Sequence, residues 1–95
     1  MLPENRIPTH PGEILLEELL EPLGVTQVAF ARHIGAPVQR VNEIVRGKRG
    51  VTPETAWLLS QALGTTPEFW LNLQTAHDLA RVRPHVQVEP LAKTG

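Results

Sequence analysis

Residues 26–49 read TQVAFARHIGAPVQRVNEIVRGKR, and this stretch decides the fold. Two short apolar patterns at helical spacing are separated by a glycine. Thr26 suits the cap of the first helix, because its hydroxyl can accept a backbone N–H of the first turn. Gly35 suits the end of that helix, since glycine tolerates the left-handed conformation found there. Pro37 has a fixed φ and is predicted at the first position of the second helix.

Two helices of about two turns joined by a glycine-containing turn form a helix-turn-helix motif. The residues expected on its apolar faces are Phe30, Ala31, Ile34, Val41, Ile44 and Val45. The outer side of the second helix then presents amide and guanidinium groups, which can reach base edges in the major groove of DNA. The residues predicted on this outer side are Val38, Gln39, Arg40, Asn42 and Arg46.

The charge of this stretch supports the same prediction. Five of the nine Lys and Arg residues lie within residues 26–49, accompanied by one of the ten acids, Glu43. The whole chain has a net charge of −1, so the basic character is local. A local positive patch is the expected footprint of phosphate binding, and the turn at residues 47–50 suits a phosphate clamp. The alternative is a pair of ordinary core helices beside a solvated basic loop.

Composition limits the class of protein. A length of 95 residues predicts one small domain, and 41% hydrophobic residues can supply a compact core. The chain has no cysteine, which excludes disulfides and thiolate metal sites. We expect no signal peptide and no membrane span, and therefore a soluble cytoplasmic protein. Alternating β-branched residues are scarce, which favours an all-α fold.

Helix start signals recur along the chain and predict five helices. They are His10-Pro11-Gly12-Glu13, Thr52-Pro53-Glu54 and Thr66-Pro67-Glu68, in addition to the two helices of the motif. We predict an N-terminal arm at residues 1–9, a helical DNA-binding domain at residues 10–80 and a C-terminal tail at residues 81–95.

The first predicted helix has one apolar side and one acidic side. Leu15, Leu16, Leu19, Leu20 and Leu23 form the apolar stripe. Glu13, Glu17 and Glu21 recur every four residues on another face. An acidic face repels DNA, so it should point away from the duplex. It is either a solvated face or a docking surface for a basic partner.

The last predicted helix has apolar residues on more than one side, which needs more cover than a small domain supplies. This pattern predicts a homodimer contact that includes Trp70, Leu73 and His77. The alternative is a last helix that is fully packed within its own domain.

The sequence offers no catalytic or cofactor site. The four histidines are scattered, and none has a second histidine at helical metal-ligand spacing. A glycine-rich phosphate loop and a nucleophile elbow are also missing. We therefore expect no metal, no cofactor and no enzyme activity.

Five segments together resemble the HigA-type antitoxins, which belong to the Xre, or lambda-repressor-like, helix-turn-helix group. They are HPGEIL at 10–15, EPLGVTQ at 21–27, ARHIGAP at 31–37, RVNEIVRGKRGVTPETA at 40–56 and LGTTPEFWLNLQTAHDL at 63–79. The resemblance covers about residues 7–80. It implies a five-helix domain that dimerises, binds a palindromic operator in its own promoter and represses it. It also implies neutralisation of a HigB-type toxin, a small basic ribonuclease that cleaves mRNA on the ribosome.

The resemblance also assigns roles to residues. Val38, Gln39, Arg40 and Asn42 match base-reading positions, and Gln27 matches a phosphate-contacting position. Arg46, Lys48 and Arg49 would hold further phosphates of double-stranded operator DNA. The acidic face, defined here as Glu13, Glu17, Glu18 and Glu21, would suit a basic toxin. Two alternatives stay open, namely a stand-alone repressor without a toxin and a module that only docks a protein.

Overall fold

The computed structural model describes residues 8–92, which contain five helices and, within that range, no strand. Helix α1 covers residues 11–23, and the others are α2 (Gln27–Ile34), α3 (Val38–Val45), α4 (Pro53–Leu63) and α5 (Pro67–Arg81). The predicted all-α, five-helix fold is confirmed. The predicted arm lies mostly outside the described residues, as does the end of the predicted tail at 93–95. Across the described range, no helix has the length and apolar character that a membrane crossing requires.

Threonine caps start three of the helices, as the sequence predicts. The side chains of Thr26, Thr52 and Thr66 accept the backbone N–H groups of Ala29, Thr55 and Phe69. Gly35 ends α2 with a φ of 74°, in the left-handed region. Pro37 differs from its prediction by one position. It is the N-cap of α3 with an extended ψ of 140°, and its carbonyl accepts the first N–H bonds of a helix that begins at Val38.

Helix α1 is irregular. It comprises an α-helical turn at Pro11–Glu13, a π-helical stretch at Ile14–Leu20 and a last turn at Glu21–Leu23. Pro22, in the last turn, has no N–H, and its ring would clash with the carbonyl four residues earlier. The backbone just before Pro22 accommodates the proline through longer-range hydrogen bonding. The N–H of Glu21 donates to the carbonyl of Leu16, five residues earlier, as in a π-helix.

The wider turn changes which leucines of α1 are buried. Leu15 and Leu20, five residues apart, have 1% and 0% of their surface exposed. Leu23, which we predicted in the same stripe, is 63% exposed. A regular 3.6-residue period therefore places the end of the apolar stripe wrongly.

All five helices contribute to one core. Its buried apolar residues are Leu15, Leu20, Phe30, Ala31, Val41, Ile44, Val51, Ala56, Leu59 and Trp70. Trp70 is 0% exposed, and its indole N–H donates to the Thr65 hydroxyl at 2.7 Å. The predicted dimer contact through Trp70 is wrong, because its side chain lies wholly inside its own domain. Leu73 is half-buried against the same core.

The start of α1 packs directly onto the backbone of α3. A Cβ atom built on Gly12 would lie 1.8 Å from the carbonyl oxygen of Ile44. No side chain fits into that space, so glycine allows the two helices to approach this closely. The position of α3 is therefore set by backbone contact with α1 as well as by its buried Val41 and Ile44.

Two histidines meet where α1 begins. The buried His10 ring accepts the N–H of Gly12 at Nδ1 (2.9 Å) and so caps the helix. The His77 ring meets it edge to face, with 4.9 Å between the centroids. Nδ1 of His77 lies 2.7 Å from the carbonyl oxygen of Pro8, and it donates, because a carbonyl can only accept. The predicted dimer residue His77 thus makes contacts within its own chain.

Burial lowers the pKa of His10 below its usual value of 6.5, and the neighbouring His77 lowers it further. Arg81 acts in the same direction, whereas Asp78 and Glu13 oppose it. A protonated Nδ1 cannot accept the Gly12 N–H, so the geometry and the pKa agree that the folded protein holds His10 neutral.

This neutral cap predicts a pH-dependent stability. Near pH 6.5 the unfolded chain binds more protons at His10 than the folded protein, so the free energy of unfolding rises with pH. The stabilisation is present above the unfolded pKa and is lost as the pH falls towards the lowered folded pKa. His10→Asn keeps a cap acceptor that does not titrate. Urea unfolding at about pH 5 and about pH 8 should show a smaller change in the variant than in the wild type. Equal changes would rule out His10 as the titrating cap.

Candidate nucleic-acid interface

The outer side of α3 lies opposite the residues that the helix buries in the core. Val41 and Ile44 point into the core, at 2% exposure each. Residues three and four positions apart share a helix face, so Gln39, Glu43 and Arg46 lie together on the opposite side. Gln39 and Arg46 are exposed and Glu43 is half-buried. A row of polar side chains therefore runs along the solvent side of the second helix of the motif.

The residues predicted to bind DNA differ in their exposure. Val38, Gln39, Arg46, Lys48 and Arg49 are exposed, whereas Gln27, Arg40 and Asn42 are half-buried. Arg40 and Arg49 meet in a depression of about 180 Å³ that Gly50, Thr52, Glu54 and Thr55 also line. Gln27 is the first residue of α2 and does not line this depression. The structure thus brings two of the predicted cations together beside α3.

Glu43 is a residue of this surface for which the sequence predicted no role. Its Oε1 accepts from Nε of Arg49 at 2.9 Å, and its Oε2 lies 3.5 Å from Nε2 of Gln39. One carboxylate thereby joins a predicted base-reading residue to a predicted phosphate-binding residue. The sequence could have predicted the contact between Glu43 and Gln39, because residues four positions apart lie on the same face of a helix.

The basic turn at residues 47–50 folds back onto the end of α3. The carbonyl of Glu43 accepts the N–H groups of Lys48 and Arg49, at 2.8 and 3.2 Å. Gly47 has a φ of 73°, a conformation that glycine adopts without strain. The backbone of the turn is therefore held by hydrogen bonds before any partner binds.

Gln74 of α5 anchors the other end of this turn. Its Oε1 accepts the N–H of Val51 at 2.7 Å, and its Nε2 donates to Asp78 at 3.0 Å. A Cβ on Gly50 would lie 3.1 Å from the Gln74 side chain, so the turn packs closely against it. The two residues are 23 positions apart in the sequence, so no local sequence pattern predicts this contact.

Arg40 has a partner on the neighbouring helix. Its Nη1 lies 3.9 Å from Oε1 of Glu54, in the first turn of α4. The arginine side chain is 34% exposed and that of Glu54 is 82% exposed. An exposed pair at this distance is weak, so Arg40 remains available to another anion.

The acidic face lies on α1. Its four glutamates are all exposed, and within residues 8–92 none of them has an ion pair. Glu13, Glu17 and Glu18 also line a depression of about 160 Å³. Four exposed carboxylates on one helix give this side of the molecule a negative field.

Comparison with known proteins agrees with this geometry. A family model described as "Helix-turn-helix" matches residues 16–70. Virulence-associated protein I of Dichelobacter nodosus is 47% identical over 77 residues, which cover 80% of this chain and 71% of that protein. Antitoxin HigA-1 of Vibrio cholerae is 44% identical over 86 residues, which cover 90% of this chain and 80% of that protein.

A solved structure with a similar fold is that of antitoxin GraA in complex with its operator. It superimposes with a TM-score of 0.76 and 48% sequence identity, covering 85% of this chain and 82% of that one. This chain therefore belongs to the helix-turn-helix family and, within it, to the HigA-type antitoxins. The family is one of regulators rather than enzymes.

The anchoring role of Gln74 gives a prediction for stability. Gln74→Ala leaves the amide of Val51 without its acceptor, which should cost roughly 1–3 kcal/mol of unfolding free energy. Urea unfolding measures the change. Asn72→Ala, at an exposed position of the same helix, is the control and should alter stability by less than about 0.5 kcal/mol. Equal effects of the two substitutions would mean that the turn does not depend on Gln74.

Proposed function

We propose that this protein is a DNA-binding antitoxin. As a homodimer in the cytoplasm it binds a palindromic operator in its own promoter and represses transcription, and it neutralises a small basic mRNA-cleaving toxin of the HigB type. The observation that carries the proposal is the outer side of α3, where polar side chains lie beside a preformed cationic turn. The relationship to an antitoxin that forms a complex with its operator supports it.

The DNA surface combines two kinds of contact. Gln39 and Asn42 carry amides, which can pair with adenine, and Arg40 carries a guanidinium, which can pair with guanine. Val38 offers an apolar contact to a thymine methyl group. These four residues would read bases in the major groove.

The phosphate contacts would lie at both ends of the motif. Three exposed cations follow α3, namely Arg46, Lys48 and Arg49. Contacts from these side chains to phosphates do not depend on the DNA sequence. Gln27 stands at the first turn of α2, where free backbone N–H groups favour an anion. Such contacts fix the register of α3 on the duplex.

The dimer would place two copies of α3 in successive major grooves, about 34 Å apart. Of the predicted dimer residues, Leu73 and His77 remain in this proposal and Trp70 does not. Large apolar side chains that are exposed on α4 and α5 favour a further contact between copies. Trp57 is 58% exposed, Phe69 40% and Leu79 71%.

The acidic face would bind the toxin. A basic ribonuclease carries positive charge, and complementary fields speed association and fix orientation. The four glutamates lie on α1, whereas the cations lie on α3 and in the turn after it. The two partners would therefore use different helices of one small domain.

The DNA part of the proposal is tested by titrating the wild type and Lys48→Ala with the protein's own upstream DNA and with random DNA of equal length. The wild type should prefer the upstream DNA. Lys48→Ala should weaken binding to both duplexes and reduce the salt slope by about one unit, because one phosphate contact is lost. Arg81→Ala, an exposed cation at the end of α5, is the control and should leave both quantities unchanged. A wild type with no preference for its upstream DNA would contradict operator binding.

The toxin part is tested with a variant in which Glu13, Glu17, Glu18 and Glu21 are all replaced by Gln. Binding to the basic product of the adjacent gene should weaken by at least about tenfold, because the complementary field is lost. Affinity for the upstream DNA should stay within about twofold or rise, since no DNA contact is removed. Lys48→Ala should behave in the opposite way. A wild type that binds its DNA but not the neighbouring gene product would indicate the stand-alone repressor.

A further inference from the structure

Glu43 is the one acid within the basic stretch at residues 26–49, and it lies on the side of α3 that faces away from the core. It shares this side with Gln39 and Arg46, one helical turn before and after it. A carboxylate at this place faces the DNA in the proposed complex. Its negative charge repels DNA phosphates, so a carboxylate on this surface weakens DNA binding unless it makes a specific favourable contact.

The structure holds this carboxylate in place through both its side chain and its backbone. Oε1 accepts from Arg49 Nε at 2.9 Å, and the carbonyl oxygen accepts the N–H groups of Lys48 and Arg49. Oε2 has only a long contact, 3.5 Å to Nε2 of Gln39. Oε1 therefore has a short hydrogen bond, whereas Oε2 has only a weak one to Gln39. In the proposed complex Gln39 would contact a base instead, which leaves Oε2 able to accept another hydrogen bond.

A carboxylate oxygen in the major groove has one suitable partner among the base edges. The exocyclic amino group of cytosine donates there, and Glu or Asp accepts from it. The amino group of adenine also donates, but N7 beside it is an acceptor and repels a carboxylate, whereas it suits an amide such as Gln39. Guanine and thymine present acceptors at these edges, which would face the carboxylate unfavourably.

We propose that Glu43 is a specificity-determining residue of the DNA surface. Its Oε2 accepts a hydrogen bond from the amino group of a cytosine in each operator half-site, and its charge penalises binding where that cytosine is missing. Arg49, paired to Oε1, orients the carboxylate and offsets part of its charge. This inference rests on the proposed function as an operator-binding protein.

The experiment measures Kd for the wild type and Glu43→Gln on three kinds of duplex of equal length. They are the upstream operator, the operator with single C·G pairs changed to T·A, and random DNA. The wild type should lose about tenfold in affinity at one C·G pair per half-site. Glu43→Gln should bind random DNA more tightly than the wild type. It should also lose the preference for cytosine, because its amide can pair with adenine and no longer carries the charge that penalises other bases, so that its ratio of operator to random affinity falls by about tenfold.

Two further variants separate charge from hydrogen bonding. Glu43→Asp keeps the charge on a shorter side chain, so it should keep the weak binding to random DNA but lose the preference for the cytosine. Glu54→Gln is the matched control, because it neutralises the carboxylate beside Arg40 on α4. It should leave the dependence on that C·G pair unchanged. Matching unfolding curves for all variants establish that folding is intact, as expected for exposed ion pairs.

The outcomes are distinct. If Glu43→Gln discriminates among the duplexes as the wild type does, the role of Glu43 is refuted while operator binding stands. If the wild type itself does not prefer the operator over random DNA, the proposed function fails and this inference fails with it. A loss of discrimination that appears equally in Glu54→Gln would overturn the assignment to Glu43.

Discussion

The contact between α1 and the backbone of α3 is the constraint on which the rest of the structure depends. Gly12 lies so close to the carbonyl of Ile44 that any Cβ at position 12 would displace α3. Val41 and Ile44 complete the inner side of α3, and both are buried. Because this inner side is fixed, the orientation of the outer side is fixed as well. Base recognition needs side chains held to within about 0.5 Å, which a rigid helix on a packed core provides.

The distribution of charge follows from the same arrangement. The chain is nearly neutral, at −1, but its acids are concentrated on α1 and its cations on α3 and the turn at residues 47–50. Glu43 is the exception, and its pairing with Arg49 shows how a carboxylate is accommodated within a cationic surface. Gln74 holds the end of the turn from α5, 23 positions further along the chain. The proposed contact with DNA therefore depends on a residue of α5 as well as on α3 itself.

Much of the fold was predictable because its signals are local. The threonine caps and Gly35 gave the helix boundaries through backbone hydrogen bonding and φ preferences, which depend on neighbouring residues only.

The features that the sequence did not predict are non-local or arise from irregular geometry. The π-helical turn before Pro22 shifted the buried leucines, and a 3.6-residue period cannot show this. Trp70 was misassigned because periodicity does not reveal which side of the last helix meets the core. For the candidate site, periodicity predicted the outer side of α3, but the link from Glu43 to Arg49 and the anchor at Gln74 required three-dimensional contacts.

The central claim is that α3 reads operator DNA from the major groove. Dimethyl sulfate footprinting of the protein on its own upstream DNA tests this directly, because the reagent methylates guanine N7 in the major groove and adenine N3 in the minor groove. The proposed dimer predicts protection of guanine N7 in two half-sites whose centres lie about 10 base pairs apart, with adenine N3 left reactive. Protection confined to adenine N3, or no protection at protein concentrations that saturate binding, would contradict the account.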